Sequence, residues 1–259
     1  MEYTITLDGK IVVITGGYGY LGKAITLGLL ANGAIVYVLG LDAQKFKREF
    51  IDNDYVDSLF FEYCDVSSSD SIKTAFGNIG KTNVIDVLIN NAFYSKGQSP
   101  ESMVDEDWSY GIEGTLNSCF KCIREIVPYL KNSGRGKIIN VSSMYGVVAP
   151  QFEIYNEYPQ FLNPPHYGAA KAGVIQLTKY YAAYLGKIGI NVNAVTPGPF
   201  PSSSVQSEGG FVDSLAERTC LNRIGKPEDL VGAFVFLSSD ASNYITGHNL
   251  VVDGGWTIK

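Results

Sequence analysis

Seven short runs rich in Val, Ile and Leu alternate with helical patterns from one end of this chain to the other, and no other feature limits its fold so tightly. The runs are Ile11–Thr15, Ala34–Leu39, Ser58–Tyr63, Val84–Asn90, Gly136–Ser142, Ile190–Val195 and Asn249–Val252. Helical stretches lie between them, at about 20–32, 43–52, 68–79, 103–131, 168–187 and 227–238. Such alternation predicts parallel strands joined by helical, right-handed crossovers, with helices on both faces of the sheet. The near-continuous apolar strands agree, because a parallel sheet is covered on both sides. At 259 residues the chain is long enough for one large core, and no low-complexity linker or internal repeat divides it. A single α/β domain over residues 1–259 is expected.

Two segments break the rhythm. Residues 144–166 form a long insert rich in Pro and aromatics, and 197–216 hold three prolines, a serine run and Gly209-Gly210. Loops of that length in a compact domain are commonly lids. Both follow predicted strands, at the sheet edge where α/β proteins bind ligands.

Composition narrows the class of partner. A net charge of −6 argues against nucleic acid or an anionic membrane. No apolar run reaches the roughly 18 residues of a membrane helix, and the N-terminus lacks a secretory pattern, so a cytoplasmic protein without a membrane partner is expected. Cys64, Cys119, Cys122 and Cys220 do not form a disulfide pattern. The Cys119-x-x-Cys122 pair falls inside a predicted helix and reads as packing, and no metal site is expected.

The first strand runs into Thr15-Gly16-Gly17-Tyr18-Gly19-Tyr20-Leu21-Gly22, and a helix follows. Gly17-x-Gly19-x-x-Gly22 in that place points to dinucleotide binding. Glycines allow a tight turn and close approach to a pyrophosphate, and the helix N-terminus offers unpaired N–H groups. The plain alternative is a glycine-rich turn. Asp42, twenty residues beyond Gly22, can accept hydrogen bonds from an adenosine ribose or cap the helix that starts at Ala43. Leu41 stands where an NADP-preferring protein would place an arginine, yet Lys45, Lys47 and Arg48 follow nearby, so NAD or NADP remain open with NAD favoured. Tyr167 and Lys171 are four residues apart at the front of a helical pattern and stack on one face. An ammonium beside a phenol favours phenolate and lowers the tyrosine pKa.

Further motifs continue the series. Asp65-Val66 follows the third strand, Asn90-Asn91-Ala92 the fourth, and Asn140-Val-Ser142-Ser143 ends the fifth. Pro197-Gly198, Arg223-x-Gly225-x-Pro227-Glu228-Asp229 and Val252-Asp253-Gly254-Gly255 complete it. In order and spacing the chain resembles the short-chain dehydrogenase/reductase family over almost its whole length. The resemblance implies a doubly wound Rossmann fold whose seven-stranded parallel sheet has the order 3-2-1-4-5-6-7. It implies that Tyr167 is the general acid or base, that Lys171 lowers its pKa and holds the nicotinamide ribose, and that Ser143, rather than Ser142, holds the substrate oxygen. Thr115 falls at the family's helix-borne catalytic asparagine, with Asn117 two residues on. Gly16, Gly17, Gly19, Tyr20, Leu21 and Gly22 would hold the pyrophosphate, and Leu41 and Asp42 the ribose. Asp65 and Val66 would meet adenine, Asn90, Asn91 and Ala92 the ribose side, and Pro197 and Gly198 the nicotinamide; for Asp65 and Asn90 turn hydrogen bonding is the alternative. A homotetramer or homodimer through the 103–131 and 168–187 helices is also implied.

The chain departs from that pattern in several places. Tyr20 stands at the usual middle glycine, and Phe93 follows Asn-Asn-Ala where glycine is usual. Thr115 puts the usual proton relay in question, unless it substitutes or is an ordinary helix position. Ser143 and Tyr167 are 24 residues apart, roughly twice the family spacing, and the insert carries Phe152, Glu153, Tyr155, Glu157, Tyr158, Phe161 and His166. Aromatic faces and carboxylates suit a sugar-like substrate; packing of a lid is the alternative. The expected reaction is interconversion of a secondary alcohol and a ketone, with a polyhydroxylated substrate favoured, as in family members associated with sugar and surface-glycan biosynthesis. Reduction of 3-ketoacyl thioesters or other apolar ketones is the competing expectation. A dinucleotide sensor without turnover is a third.

Overall fold

The structure, a computed structural model, describes residues 5–51, 54–97 and 99–259. One parallel sheet organises the chain. Its strands are β1 (Ile11–Thr15), β2 (Ile35–Gly40), β3 (Leu59–Tyr63), β4 (Ile85–Asn90), β5 (Lys137–Val141), β6 (Asn191–Pro197) and β7 (Asn249–Val252). Their spatial order is β3-β2-β1-β4-β5-β6-β7. This is the seven-stranded Rossmann arrangement expected from the sequence. The order reverses between β1 and β4, which run side by side with Val13 opposite Leu88. Ligands of such sheets bind outside the carboxyl ends of the strands at that reversal.

The helices are α1 (Tyr20–Ala31), α2 (Ala43–Glu49), α3 (Ser69–Gly80), α4 (Asp105–Ile112), α5 (Ser118–Ser133), α6 (Pro165–Leu185), α7 (Gly209–Ala216) and α8 (Val231–Ser238). Alternation along β1 divides the core in two. Val13 packs with Ile72, Phe76, Ile123, Ile126 and Val174, beneath α3, α5 and α6. Val12 and Ile14 face the other way, against Ile25 and Leu29 of α1 and Phe234 of α8. Both layers exclude water from the central strands β1, β4, β5 and β6, which is why these read as apolar runs rather than alternating ones.

Three differences from the sequence expectation bear on function. The helix expected over 103–131 is interrupted by a π turn at Glu113–Asn117, where the Ser118 amide reaches back to the Glu113 carbonyl. The long insert is not irregular throughout: it contains short 3₁₀ turns at Met144–Gly146, Phe152–Tyr155 and Pro159–Phe161. The second long segment carries α7, a helix within a stretch expected to be a loop. The two segments pack on one another through Ile154, Tyr155, Phe211 and Leu215, together with Trp256. They form a third apolar cluster at the carboxyl edge of the sheet.

Candidate active site

The glycine turn after β1 is held from the side. The Thr15 hydroxyl accepts from the Asn91 and Ala92 amides at 3.0 Å each. The Asn91 side chain donates to the Thr15 and Gly16 carbonyls at 3.0 and 3.1 Å. Gly16 has φ +65°, in the left-handed region that favours glycine. A Cβ on Gly22 would fall 2.3 Å from the Gly16 carbonyl oxygen, so α1 can start only this close to the turn without a side chain there. Gly19 caps α1 without a side-chain hydrogen bond. The first amides of the helix thus keep their donors for a ligand, with the positive end of the helix dipole behind them.

A cleft of about 450 Å³ opens over this turn. Gly16, Gly19, Tyr20, Leu21 and Gly22 form one wall, and Asn91, Ala92, Pro197 and Gly198 the next. Ser143, Tyr167 and Lys171 close its inner end. These residues come from separate strand ends and from α6, and the fold gathers them at one opening. The shape fits a dinucleotide: a glycine cradle that a Cβ would fill, a helix N-terminus, and a long trough that ends at ionisable groups.

Pro165 begins α6, where its fixed φ suits a first helical turn. Tyr167 and Lys171 therefore sit one turn apart at the front of the helix. The helix presses on the turn after β5: a Cβ on Gly168 would lie 2.9 Å from the Tyr145 carbonyl, and one on Gly146 2.7 Å from the Lys171 backbone. Close backbone approach brings Ser143 and Tyr167 together in one wall of the cleft, and the Ser143 hydroxyl favours the phenolate. The Ser142 hydroxyl instead donates to the Lys171 carbonyl at 2.9 Å. Of the two serines, Ser143 is the one at the phenol.

The electrostatics differ from the sequence expectation. Burial pushes the Tyr167 phenol above its ordinary value, against the Ser143 hydroxyl that pulls it down. Lys171 does not reverse this, because its ammonium donates to the Val141 carbonyl at 2.8 Å and stands 5.7 Å from the Tyr167 ring centre. Burial lowers Lys171 itself to about 8. Phe93 lies against both, its ring centre 5.8 Å from that of Tyr167 and 5.0 Å from the Lys171 nitrogen. The bulk that replaces the usual glycine is thus a lid over the lysine.

Other expected residues lie apart from the cleft. Asp42 caps α2, its Oδ1 accepting from the Gln44 and Lys45 amides at 2.9 and 2.8 Å, and Leu41 projects outward. Asp65 accepts from the Ser67 amide at 2.9 Å in a local turn, and Val66 packs on the core. Asn90 is buried and donates to Asn140 at 2.8 Å rather than lining the cleft. Thr115 is buried within the π turn, and among the described residues its hydroxyl has no hydrogen-bond partner. Asn117 donates to Glu113 at 2.6 Å, away from the site. His166 is fully buried; its Nε2 donates to the Lys96 carbonyl at 3.0 Å and Trp108 meets it edge-on.

A second hollow of about 270 Å³ continues past Tyr167 and Ser143. Tyr155 and Phe161 of the long insert line it together with Tyr145, Asn163, Phe211 and Leu215. The Tyr145 and Tyr155 hydroxyls are hydrogen-bonded to each other, and Asn163 stands in the same wall. Phe152, Glu153 and Glu157 project into solvent instead. The insert therefore supplies aromatic rings and hydroxyls to the hollow, but not its carboxylates. Sequence reasoning missed Tyr145, Asn163, Phe200 and Phe211; none has a spacing that marks it, since each reaches the site through tertiary packing.

Residues 20–257 match a family described as Enoyl-(Acyl carrier protein) reductase. The chain is similar to the 3-oxoacyl-(acyl-carrier-protein) reductase FabG of Thermotoga maritima, at 34% identity over 97% of this chain and 99% of the relative. Among solved structures it is similar to a short chain dehydrogenase from Leptospira borgpetersenii with bound NAD+, with TM-score 0.86 and 32% identity over 100% of this chain and 97% of that one. It is also similar to a gluconate 5-dehydrogenase from Burkholderia cenocepacia in complex with NADP and tartrate, with TM-score 0.87 and 28% identity over 98% of each chain.

Proposed function

The chain belongs to the short-chain dehydrogenase/reductase family of NAD(P)-dependent oxidoreductases, and from that premise we propose that it interconverts a secondary alcohol and a ketone with Tyr167 as proton donor and acceptor. One observation carries the reading: Ser143, Tyr167 and Lys171 meet at the inner end of a trough that begins at a helix N-terminus. Bound there, NAD(P) supplies or accepts the hydride. The residues of the chain do the rest. The α1 amides and the glycine turn receive the pyrophosphate, with Asn91, Ala92, Pro197 and Gly198 flanking the rest of the dinucleotide. Ser143 holds the substrate oxygen. Tyr167, kept protonated by burial, is in the donor form that reduction of a carbonyl requires. Lys171, lining the same trough and anchored on the Val141 carbonyl, is placed to hold the nicotinamide ribose.

The substrate is drawn from the second hollow. Rings at Tyr155, Phe161 and Phe211 offer faces to a cyclic or extended carbon skeleton, and the Tyr145, Tyr155 and Asn163 polar groups offer hydrogen bonds to its hydroxyls. This combination favours a sugar-like or polyhydroxylated substrate. A 3-ketoacyl thioester or another apolar ketone is the second reading, favoured by Met144, Val205 and Leu215 in the same wall. The test is absorbance at 340 nm with NAD(H) and NADP(H) across sugars, sugar acids, simple alcohols and 3-ketoacyl thioesters. Turnover is expected on a polyhydroxylated member, and Tyr167→Phe is expected to lower it by about 10²–10⁴-fold without loss of fold. Activity confined to acyl thioesters would select the second reading. Turnover unaffected by Tyr167→Phe would remove the tyrosine from the mechanism.

A further inference from the structure

Tyr18 leaves the glycine turn and lies across the end of β2. Its hydroxyl oxygen accepts from the Leu41 amide at 3.0 Å and from the Asp42 amide at 3.2 Å. The ring is seated, not loose. A Cβ on Gly40 would fall 2.4 Å from it, and Phe61 packs against it with ring centres 6.4 Å apart. The Lys45 ammonium stands 5.8 Å from its centre, and the ring forms part of the cleft wall.

Two convergent backbone N–H groups with an ammonium beside them are the donors that an oxyanion takes. Here a phenol oxygen takes both amides. In a Rossmann sheet the adenosine ribose is read just beyond the second strand, where a 2′-hydroxyl marks NAD and a 2′-phosphate marks NADP. Asp42, the acid in the customary place, has Oδ1 committed to the α2 cap, although its negative charge remains nearby. We propose that Tyr18 selects the dinucleotide: by occupying the Leu41 and Asp42 amides with its hydroxyl and the adjoining space with its ring, it keeps out a 2′-phosphate and turns the cleft toward NAD. This rests on the dinucleotide reading above and adds the residue that sets its specificity.

Calorimetric titration with NAD+, NADP+ and adenosine 2′,5′-bisphosphate reads the selection without turnover. The parent protein is expected to bind NAD+ more tightly than NADP+. Tyr18→Ser frees both amides and the space, and is expected to shift the ratio of the two dissociation constants toward NADP+ by about tenfold, the order of one hydrogen bond to a charged acceptor. It is also expected to tighten the bisphosphate. Tyr18→Phe keeps the ring in place and is expected to stay on the NAD side. Asp42→Asn removes the charge but keeps a capping acceptor, and is expected to move the ratio less than Tyr18→Ser. Equal binding of the two dinucleotides by the parent overturns the proposal, as does an unchanged ratio in a folded Tyr18→Ser or a larger shift in Asp42→Asn than in Tyr18→Ser. The parent comparison requires no change at Tyr18, so it decides even where Tyr18→Ser does not fold. A parent that binds none of the three ligands overturns the dinucleotide reading itself.

Discussion

Thr115 holds a hydroxyl in a buried place where it meets no acceptor or donor among the described residues. A polar group left so costs stability, and removing it with little change of shape returns that cost. Thr115→Val is therefore expected to raise the stability measured by urea denaturation by about 1 kcal/mol. The neighbouring tyrosine and lysine show what sequence can and cannot convey at this scale. Their four-residue spacing fixes one turn of helix between them, so their shared face is legible in the sequence itself. The direction of the Tyr167 shift is not, because it depends on burial and on the Lys171 ammonium turning to Val141. The same limit hides Tyr18. Its place in the turn is plain, but its partners Leu41, Asp42 and Gly40 lie one strand away.

Among the elements, strands are readable because burial on both faces writes a continuous apolar run, and the sheet order follows from the family resemblance. The break between α4 and α5 is not readable. Gly111 and Gly114 sit against the His166 ring and the Tyr94 carbonyl, where a Cβ would come within 2.2 and 2.1 Å, and helical periodicity does not register such approaches. Helix α7 escapes because its eight residues follow a proline- and serine-rich stretch that carries only loop signals. Helix α6 presents a face that this fold leaves uncovered. Tyr180 and Tyr184, one turn apart, stack with ring centres 6.4 Å apart and are 63% and 69% exposed. If α5 and α6 pair with those of a second copy, as the family resemblance implies, these rings are covered there. Light scattering is expected to give a homodimer or homotetramer, and Tyr180→Glu with Tyr184→Glu is expected to shift the mass toward the monomer; a monomeric parent would end that reading.

For the molecule as a whole, buried ionisable groups of opposite sign shape its response to alkali. Burial pushes the Cys64 and Cys119 thiols up to about 12, and Cys122 is raised as well. Raised thiols contribute stability in full below their ordinary value near 9, and lose it as pH climbs toward their folded values. Lys137 and Lys171 are lowered by burial to about 8, so the folded state sheds their protons before the unfolded state does, and stability rises from about 8 up to their ordinary 10.5. The two trends oppose each other between pH 9 and 10.5, and only the loss remains above. Denaturation midpoints are expected to rise from pH 8 to 9, to change less between 9 and 10.5, and to fall steeply above about 10.5; in Cys119→Ala with Cys122→Ala the fall should be shallower. The stretch after β6 has a consequence of another kind. Gly198 and Phe200 stand in the walls of both hollows, and Gln206 ties that stretch to Tyr20 by a 3.0 Å hydrogen bond. Two ligands that share a wall have a route by which each can alter the affinity of the other. Whatever factor one imposes on the affinity of the other, the second must impose on the first, so a titration of either in the presence of its companion measures the coupling between the two hollows.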